Sequence, residues 1–579
     1  MKRTVILLLI LVPATGLVAQ TSARKAPAPD VYLITIDTLR ADHVHCYGYA
    51  NIETPAIDAL AKDGVRFSHA FTPSPITNTS HTTILTGLLP SKHGVTDFAI
   101  PLPATHPTWA EFLSAQGYHT AAFIGAVILD SKSLAPGLDR GFDFYDNFPE
   151  HPQTKVRWGR VERRGMEVAQ HAEAWLTAHP RGPHFVWVHL YDPHDPYEPP
   201  APYSTTYKDR LYDGEIAYAD SALGNFLAFL KAHNWYQNAL IIVVGDHGEG
   251  LGEHHEETHG IFLYDSTTHV PLVVKLPSRA TTVKVVDAQV QTTDILPTVL
   301  DIVGASPVQQ FDGESLKGYF TGETASRTVF GETDYPLRFG WARLRSVRTE
   351  GLKFIEAPRP ELYDLRADPG ELNNTYSPEK AEVQKSRALL ADLRAKLPPP
   401  TSSGQGPAGS GSAASDFSDL PDPKDKIEEQ NLLHRAMIAS DDNQLADARK
   451  ALEKVLEMNP KSPVALRQLG ELELQAGNYS QAAGHLKSAR QIRPDDATVA
   501  YNLGQALAKT GDLQGARDAL EASLKLTPGQ IAPRILLGKV YLELKDLNAA
   551  EDQFEAALLS EPNNAEAKAG LAKVKAVKK

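Results

Sequence analysis

The sequence predicts two kinds of architecture in one chain: an α/β domain with a mostly parallel sheet sandwiched by helices, followed by an all-α solenoid of helical repeats. Apolar, strand-like runs alternate with helical patterns between residues 28 and 397, which is typical of α/β folds. Farther along, Pro460, Pro494 and Pro528 recur every 34 residues, which indicates repeats. A chain of 579 residues also exceeds what one hydrophobic core supports, so several domains are expected.

The N-terminus has the pattern of a secretory signal peptide over residues 1–20. Lys2 and Arg3 precede an apolar run at residues 5–12, and small residues follow as far as Ala19. The run is too short to span a bilayer comfortably, although an uncleaved N-terminal membrane anchor is the alternative. We therefore expect export and a periplasmic or secreted location. The single cysteine, Cys46, excludes an internal disulfide framework.

The composition of the chain argues against some partners and favours certain metal ligands. The net charge is −13, so no large basic surface for nucleic acid is expected. No hydrophobic segment follows the N-terminal one, so we expect no multi-span membrane region. The chain has 21 His and a single Cys, which favours metal sites built from nitrogen and oxygen ligands.

Three predicted strands end in polar residues that can bind metals. The runs VYLITID, HFVWVHLYDPH and NALIIVVGDHGEG end on Asp37, on Asp192 and His194, and on Asp246 and His247. Sites in parallel sheets form at the carboxyl ends of strands, and the following glycine-rich stretch adds His259. Asp and His without Cys suit Zn²⁺ or Mn²⁺, whereas carboxylates alone would suit Ca²⁺ or Mg²⁺. Any one of these side chains could equally make ordinary hydrogen bonds, but the set predicts a metal site.

The segment SPITNTSHTTILTGLLPSKHGV, residues 74–95, concentrates hydroxyl groups at a short apolar helix. Thr77 precedes a predicted helical run from Ser80 to Thr86, where backbone N–H groups and the helix dipole favour an anion. One interpretation is that Thr77 or Thr79 merely caps this helix. The other is that Thr77 is a nucleophile, which would need a metal or a base to hold its alkoxide.

The C-terminal part, residues 425–579, follows a Pro/Gly/Ser-rich linker at residues 398–424. Glycine preceded by leucine recurs at Gly470, Gly504 and Gly538, and alanine recurs every 34 residues in the second helix of each unit. This pattern resembles the tetratricopeptide repeat, in which two antiparallel helices form each unit. The resemblance implies a concave surface for a protein or peptide partner, with a pure spacer role as the alternative.

Four further blocks of sequence resemble sulfatase-type hydrolases of the alkaline phosphatase superfamily. They are DVYLITIDTLRADHVHCYGY, TNTSHTTILTGLLPSKHGV, VVGDHGEGLGEHHEETHG with YDSTTHVPLVVKLP, and RSVRTEGLKFIEAPRPELYDLRADPGELNN. The resemblance implies a catalytic core over residues 28–320 and a C-terminal subdomain of the hydrolase over residues 321–397.

The chain departs from sulfatases at the positions that decide the mechanism. In the family's C/S-x-P-x-R motif the first residue becomes formylglycine, but here that position is Thr77, the Pro position is Thr79 and the Arg position is His81. Threonine cannot become formylglycine. The family's calcium-binding pairs Asp-Asp and Asp-Asn are replaced by Asp37-Thr38 and Asp246-His247, so the calcium pattern is lost.

The Thr-containing pattern is instead similar to the nucleotide pyrophosphatase/phosphodiesterase branch, which uses a metal-bound Thr and two zinc ions. This similarity implies two divalent metal ions, with Zn²⁺ expected, Mn²⁺ an alternative and Ca²⁺ disfavoured. The first ion would be bound by Asp37, Thr77, Asp246 and His247, and the second by Asp192 and His259 with His194 as a further ligand. The second set is less regular, because the branch spaces Asp and His four apart where this chain has DPHDP. The implied catalytic residues are Thr77, Asn78, His81 and His194, with Ser80 as a further contact.

The resemblance implies an exported, metal-dependent hydrolase of anionic phosphate esters, with diesters or phosphonates ahead of simple monoesters. Thr77 would attack phosphorus to give a phosphothreonine, which water would then cleave. Three alternatives stay open. They are a sulfate-ester hydrolase, a phosphoethanolamine transferase, which typically has several membrane spans, and a non-catalytic scaffold in which the repeats recruit a partner.

Overall fold

The computed structural model describes residues 28–149, 158–277, 281, 283–306, 309–349, 351–396 and 420–578. The predicted signal peptide and most of the predicted linker lie outside the described residues, so both stay predictions.

The N-terminal domain is built on an eight-stranded sheet. Its strands are β1 Val31–Ile36, β2 Val65–Phe71, β3 His119–Phe123, β4 Phe144–Asp146, β5 His184–Leu190, β6 Leu240–Gly245, β7 His269–Lys275 and β8 Val285–Gln291. Their spatial order is β4-β3-β5-β1-β6-β7-β2-β8, and of these strands only β7 runs antiparallel to its neighbours. The three strands singled out in the sequence are therefore adjacent, with β1 between β5 and β6.

Side chains alternate between the two faces of this sheet, and each face is covered by helices. On the first, which we call the α2 face, lie α2 Thr77–Thr86, α4 Trp109–Ser114 and α9 Ile295–Val303; on the second, the α7 face, lie α1 Pro55–Asp63, α5 Gly165–Ala178 and α7 Leu211–Ala232. Within β1, Val31 and Leu33 pack on the α2 face, whereas Tyr32 and Ile34 pack on the α7 face. Burial on both faces explains why β1, β5 and β6 are continuous apolar runs.

A second, four-stranded antiparallel sheet completes this domain. It consists of β9 Val329–Thr333, β10 Leu344–Thr349, β11 Leu352–Glu356 and β12 Glu361–Asp364. Helix α10, Ala381–Ala395, covers it by packing Val383 and Leu390 against Val347, Phe354 and Leu362. Short helices α3 Pro90–His93, α6 Tyr203–Thr206 and α8 Asp265–Thr268 lie in the connections of the larger sheet.

Nine helices of similar length follow among the residues described beyond position 419. They are α11 Ile427–Asp441, α12 Leu445–Met458, α13 Pro463–Gln475, α14 Tyr479–Ile492, α15 Ala497–Thr510, α16 Leu513–Leu526, α17 Ile531–Glu543, α18 Leu547–Ser560 and α19 Ala565–Lys578. The recurring glycines lie where paired helices touch, since a Cβ on Gly470 would come within 2.4 Å of Leu486 and one on Gly504 within 2.6 Å of Leu520.

The architecture is the one that the sequence predicts: a mostly parallel sheet between helical layers, then an all-α repeat array. In the described part of the chain, no helix combines the length and the apolar character needed to cross a bilayer. The longest, α7, has 22 residues and carries Asp213, Glu215, Asp220 and Lys231.

Candidate active site

Two carboxylates and an imidazole meet at the carboxyl ends of β1 and β6. Ile36 pairs with Gly245 in the parallel register, so the next residues, Asp37 and Asp246, stand side by side. One ligand atom from each of Asp37, Asp246 and His247 lies within 4.8 Å of the others, and all three residues are fully buried. These residues form a possible metal site, and three of the predicted ligands are therefore brought together.

The protein holds this cluster in an orientation suited to a cation. The His247 backbone N–H donates to Asp246 Oδ1 at 2.8 Å, and His247 Nδ1–H donates to the Gly248 carbonyl at 2.9 Å. His247 Nε2 consequently faces Asp37 and Asp246, with its lone pair available. Burial raises the pKa of both carboxyls, Asp37 and Asp246. Their ionised forms therefore need a positive charge in the site, such as a metal ion, to compensate for the lost hydration.

Thr77 lies at the first turn of α2, with its hydroxyl on the same cluster. Thr77 Oγ1 is 3.1 Å from His247 Nε2 and 3.5 Å from Asp37 Oδ1. The helix begins at Thr77 and not at the predicted Ser80, and its N-cap is Ile76, which makes no side-chain cap. Neither Thr77 nor Thr79 therefore caps the helix, and the capping interpretation is wrong. The Thr77 hydroxyl does not cap the helix and lies beside Asp37 and His247, two of the possible metal ligands.

The three residues after Thr77 that were candidate contacts have different surroundings. Ser80 donates to Asp246 Oδ2 at 3.2 Å, so it orients a carboxylate of the cluster. The Asn78 amide donates to the Asp97 carbonyl at 2.9 Å, while its Oδ1 has no hydrogen-bond partner among the described residues. His81 is fully buried on the inner side of α2.

His81 has both ring nitrogens engaged, which makes it a positioning residue here and not the catalytic residue predicted. Its Nδ1–H donates to the Thr77 carbonyl at 2.7 Å, and its Nε2 accepts from the Thr35 hydroxyl at 2.9 Å. Trp187 Nε1–H in turn donates to the Thr35 oxygen at 2.9 Å. Burial lowers the pKa of His81 to about 3, so the imidazole is neutral and fixes the first turn of α2 by hydrogen bonding alone.

His189, on β5, belongs to the site although the sequence analysis did not select it. The Gly125 backbone N–H donates to His189 Nδ1 at 3.1 Å, which forces the proton onto Nε2. His189 Nε2–H then donates to Asp37 Oδ2 at 3.1 Å. Because this nitrogen carries a proton, His189 orients Asp37 and does not itself offer a lone pair to a metal. The signal available in the sequence was that His189 comes two residues after Trp187 in β5, so that both side chains lie on the same face of the sheet.

Two further predicted residues, His259 and His194, border the same cluster. The His259 ring lies 4.3 Å from the His247 ring, and its Nδ1–H donates to the buried Glu249 carboxylate at 2.9 Å, which leaves Nε2 free. The His194 ring lies 5.0 Å from His259 and stacks on Tyr191. Glu249, which the sequence analysis also missed, thereby supplies the carboxylate–imidazole pairing that commonly accompanies a metal-binding histidine.

Asp192, in contrast, is not in the metal-ligand cluster, which corrects the prediction. Its Oδ1 pairs with Arg164 at 3.1 Å and its Oδ2 accepts from the Gly165 backbone N–H, at the start of α5, at 2.7 Å. The register explains this. Ile36 pairs with Leu190, so the neighbour of Asp37 on β5 is Tyr191, and Asp192 lies one residue farther, toward the α7 face.

A cavity of about 230 Å³ opens above Thr77. The wall formed by the N-terminal domain includes His194 and His259 together with the aromatic side chains of Phe98, Tyr191, Tyr335 and Phe339. The opposite wall belongs to the repeat helices α11 and α13 and consists of Gln430, Leu433, His434, Met437, Val464, Arg467 and Gln468. Nothing in the sequence indicated that the two domains share this cavity.

Comparison with known proteins places both halves of the chain. The sulfatase family model matches residues 29–305, and the model of the N-sulphoglucosamine sulphohydrolase C-terminal region matches residues 252–396. Tetratricopeptide repeat models match residues 433–497, 467–531 and 507–574.

Individual relatives match this chain over most of their own length. An arylsulfatase of Clostridium perfringens is 24% identical over 62% of this chain and 93% of its own length. A multifunctional alkaline phosphatase superfamily protein of Trinickia caryophylli is 23% identical over 60% of this chain and 90% of its own. The crystal structure of the phosphonate monoester hydrolase of Agrobacterium radiobacter superposes with a TM-score of 0.54 at 23% identity, covering 64% of this chain and 95% of that one. The chain thus consists of a hydrolase domain of the sulfatase/alkaline phosphatase superfamily joined to C-terminal tetratricopeptide repeats.

Proposed function

We propose that this chain is a metal-dependent hydrolase of phosphate diesters or phosphonate monoesters that uses Thr77 as its nucleophile. The observation that carries the proposal is the convergence of the Thr77 hydroxyl with the Asp37–Asp246–His247 cluster, 3.1 Å from His247 Nε2 and 3.5 Å from Asp37 Oδ1. A threonine hydroxyl is a weak nucleophile alone, so its position beside metal-type ligands makes the chemistry possible.

Asp37, Asp246 and His247 would hold one divalent cation, with Thr77 beside them. A cation bound there would supply Lewis-acid polarisation and charge compensation for the ester oxygens. This ligand set fits a divalent cation. Among the described residues no Lys or Arg pairs with Asp37 or Asp246, and the hydrogen bonds that these two carboxylates accept come from neutral groups. Nitrogen together with carboxylate ligands favours Zn²⁺ or Mn²⁺ over Ca²⁺.

The residues of the chain would carry out the bond and proton changes. In the first step the Thr77 oxygen bonds to phosphorus while the bond from phosphorus to the leaving oxygen breaks, and the Thr77 proton moves toward Asp37 Oδ1. The proton that Asp37 receives passes through water in the cavity to the leaving oxygen as it departs, so this step needs no further proton donor. In the second step water attacks the phosphothreonine, its oxygen bonds to phosphorus, and the Thr77 oxygen leaves with a proton from that water.

A second metal ion has a weaker basis. His194 and His259 would be its ligands, but Asp192, the carboxylate expected beside them, is engaged by Arg164 and Gly165. We therefore propose one tightly bound ion, and a second, if present, bound more weakly through the two imidazoles.

Sulfate-ester hydrolysis is the second candidate, and the relatives favour it. An arylsulfatase and an N-acetylglucosamine-6-O-sulfatase are among the proteins to which this chain is similar. Against it, the residue that sulfatases convert to formylglycine is Thr77 here, and a threonine cannot be converted in this way.

Turnover and metal content test the proposal together. Bis(4-nitrophenyl) phosphate, 4-nitrophenyl phosphate and 4-nitrophenyl sulfate would be assayed with the wild type, Thr77→Ala and Thr79→Ala. Thr79 is a matched control, since it is a buried threonine in the same first turn whose hydroxyl has no partner among the described residues. We expect diester turnover to fall by about 10³-fold or more in Thr77→Ala. Thr79→Ala should stay close to the wild type.

The same preparations would be analysed for metal by mass spectrometry, with about one Zn²⁺ or Mn²⁺ per chain expected. Sulfate turnover above diester turnover would replace the first candidate with the second. Activity that survives in Thr77→Ala would exclude the proposed nucleophile in either case.

A further inference from the structure

Two arginines from different domains line the cavity above Thr77. Arg338 belongs to the short helical segment Tyr335–Phe339 of the hydrolase domain, and Arg467 belongs to helix α13 of the repeats. Among the described residues that line this cavity there is no Asp or Glu. The cavity wall therefore carries a positive charge, and the repeats supply part of it.

The repeat wall has a defined position relative to the candidate active site. His434 Nε2 of α11 lies 2.8 Å from Asp195 Oδ2, and Asn431 Nδ2 of the same helix donates to the His255 carbonyl at 2.9 Å. Helices α11, α12 and α13 share one buried apolar cluster, against which Phe339 of the hydrolase domain packs. The arginine on α13 is thus carried by helices that are anchored to the hydrolase domain.

Arg338 lies close to the turn that carries Thr77. Its Nε is 3.5 Å from Asp97 Oδ2, and the Asp97 carbonyl accepts from the Asn78 amide at 2.9 Å. Asn78 directly follows Thr77 in the first turn of α2. The Arg338 guanidinium also lies over the Phe98 ring, 4.9 Å from its centre, and Phe98 lines the same cavity. Stacking on an aromatic ring fixes the plane of this guanidinium beside the cavity.

The N–H donors of both arginines are available to a bound molecule. A guanidinium carries several N–H donors and no acceptor, yet neither arginine makes a well-aligned hydrogen bond to another described residue. Their carboxylate contacts in the described part of the chain are the one from Arg338 to Asp97 and a 3.9 Å contact between Arg467 Nε and Glu471 Oε1. The two side chains keep 33% and 28% of their surface accessible, so a molecule in the cavity can reach them.

The charges of the two arginines act on the same region. Burial raises the pKa of the Asp97 carboxyl, and the positive charges of Arg338 and Arg467 offset part of that rise. Both arginines also line a neighbouring cavity of about 180 Å³, to which Arg493 adds a third guanidinium. Of the two carboxylates in that lining, Asp97 is the partner of Arg338, and Asp496 caps helix α15. An anion between the two domains would therefore meet more positive than negative charge.

We propose that Arg338 and Arg467 form a subsite for a second anionic group of the substrate, separate from the ester that reacts at Thr77. Guanidinium groups bind the oxygens of carboxylate, sulfate and phosphate groups in a bidentate manner. The substrate would be an ester whose organic part carries one such group. This inference rests on the proposed function for the position of the ester, and it gives the first repeats a role in substrate selection within their own chain.

The test uses phosphonates that differ by one charge. ω-Carboxyalkylphosphonates of increasing chain length would be compared with ω-carboxamides of the same length, which have a similar shape but no second charge. Binding to the metal-loaded full chain would be measured by calorimetry at fixed ionic strength, and kcat/KM would be measured with the 4-nitrophenyl esters of the same compounds. The series of chain lengths covers the span between the reacting ester and the two arginines.

Four variants separate the charge from other effects. Arg338→Gln and Arg467→Gln each remove one charge, and Arg467→Lys keeps a charge without the bidentate group. Arg517→Gln is the matched control, since Arg517 on α16 lines neither cavity and makes the same contact one turn along its helix, with its Nε 3.9 Å from Glu521 Oε1. Arg338→Gln also removes a partner of the buried Asp97, so the Arg467 variants carry the test if that variant does not fold.

We expect the preference for the carboxylate over the carboxamide, at the best chain length, to fall roughly tenfold in Arg467→Gln, which is the order expected for one lost charge-assisted hydrogen bond. Arg467→Lys should keep part of the preference, and Arg517→Gln should keep all of it. In the wild type the preference should decrease as the salt concentration rises, because salt screens charges that remain accessible to solvent.

A wild type without a preference for the carboxylate at any chain length would overturn this inference, and so would a preference that Arg467→Gln leaves unchanged. An equal loss of affinity for both kinds of probe would overturn it as well, since the arginine would then contact the phosphonate itself. The proposed function fails separately, because binding does not require turnover. Charge-dependent binding without Thr77-dependent turnover supports the subsite and excludes the proposed chemistry, whereas Thr77-dependent turnover without any charge preference does the reverse.

Discussion

Asp246 follows β6 and Asp192 follows β5, the two strands that flank β1, yet their carboxylates lie in different environments. Asp246 is fully buried beside Asp37 and His247 and has no cationic side chain as a partner among the described residues. Asp192 pairs with Arg164 and caps the first turn of α5. The two positions differ by one residue relative to the end of the strand, and that one residue changes the face of the sheet.

The face of the sheet thus decides which strand-end residues join the site. Thr35 and Asp37 of β1 share the α2 face with His189 of β5 and with the first turn of α2. Residues of the opposite parity meet α5 and α7, where a carboxylate serves a structural role. Substitutions on the two faces should therefore differ in their effects on metal binding, activity and stability.

The largest effect is expected from a matched pair of charge removals, Asp246→Asn and Asp192→Asn. Asp246→Asn removes a metal-type ligand and should lower both bound metal and turnover, the latter by roughly 10³-fold. Asp192→Asn should keep the metal content and most of the activity. Metal analysis and steady-state kinetics on both variants check this, and equal metal loss in the two would show that Asp192 is a ligand after all.

A smaller effect is expected from His189→Ala. His189 holds Asp37 by one hydrogen bond without offering a lone pair to a metal, and such outer contacts typically contribute about 10- to 100-fold in metal affinity. Competition titration against a chelator measures it. His119→Ala, which changes an exposed histidine on β3, is the control. Affinity equal to that of the wild type would remove His189 from the site.

For Asp192→Ala we expect a loss of stability with little loss of metal. The variant leaves Arg164 without this partner and removes the acceptor for the Gly165 N–H, which together should cost about 2 kcal/mol of unfolding free energy. Denaturant unfolding of the metal-loaded protein measures it, with the exposed Asp209→Ala as the control. A stability unchanged within error would contradict the structural role given to Asp192.

The smallest effect is expected from Asp220, measured as the change in unfolding free energy per pH unit. Asp220 is a buried carboxylate on α7 that accepts hydrogen bonds from the backbone N–H groups of Ala56 and Ile57. Burial raises the pKa of Asp220 to about 7, so between pH 4 and pH 7 the folded state binds this proton more tightly than the unfolded state. Its contribution to stability is therefore greatest in acid and falls as the pH rises, by at most about 1.4 kcal/mol per pH unit.

Asp220→Asn should remove this dependence. The difference in unfolding free energy between the variant and the wild type should move in favour of the variant from pH 4 to pH 7 and be constant above that range. A difference that does not vary with pH would mean that Asp220 is ionised in the folded protein throughout.

Much of the fold could be predicted from the sequence because its signals are local. The runs that end on Asp37 and Asp246 are continuous and apolar, which is what burial on both sheet faces requires. The 34-residue spacing of Gly470, Gly504 and Gly538 reflects contacts between consecutive helices, which any repeat of this kind needs.

The candidate site could be predicted only in part, for a related reason. Thr77, Asp37, Asp246 and His247 lie close to the ends of regular elements, so parallel pairing brings them together. The role of Asp192 depended on the register of β5 against β1, and His189 and Glu249 act through hydrogen bonds to residues far away in the chain. Register and side-chain partners are non-local quantities that a single sequence does not display.

The two architectures, the strand ends that carry the carboxylates and the position of Thr77 close to the start of a helix could be predicted from the sequence, because each depends on periodicity or on the order of residues within one element. The packing of distant segments, in contrast, sets which carboxylates meet, that His81 fixes the turn of α2 that carries Thr77, and that helices α11 and α13 of the repeats close the cavity above Thr77. This is because the packing of two domains against each other is set by the sum of many contacts between distant segments, such as that of His434 with Asp195, and none of these contacts leaves a pattern in the sequence on its own.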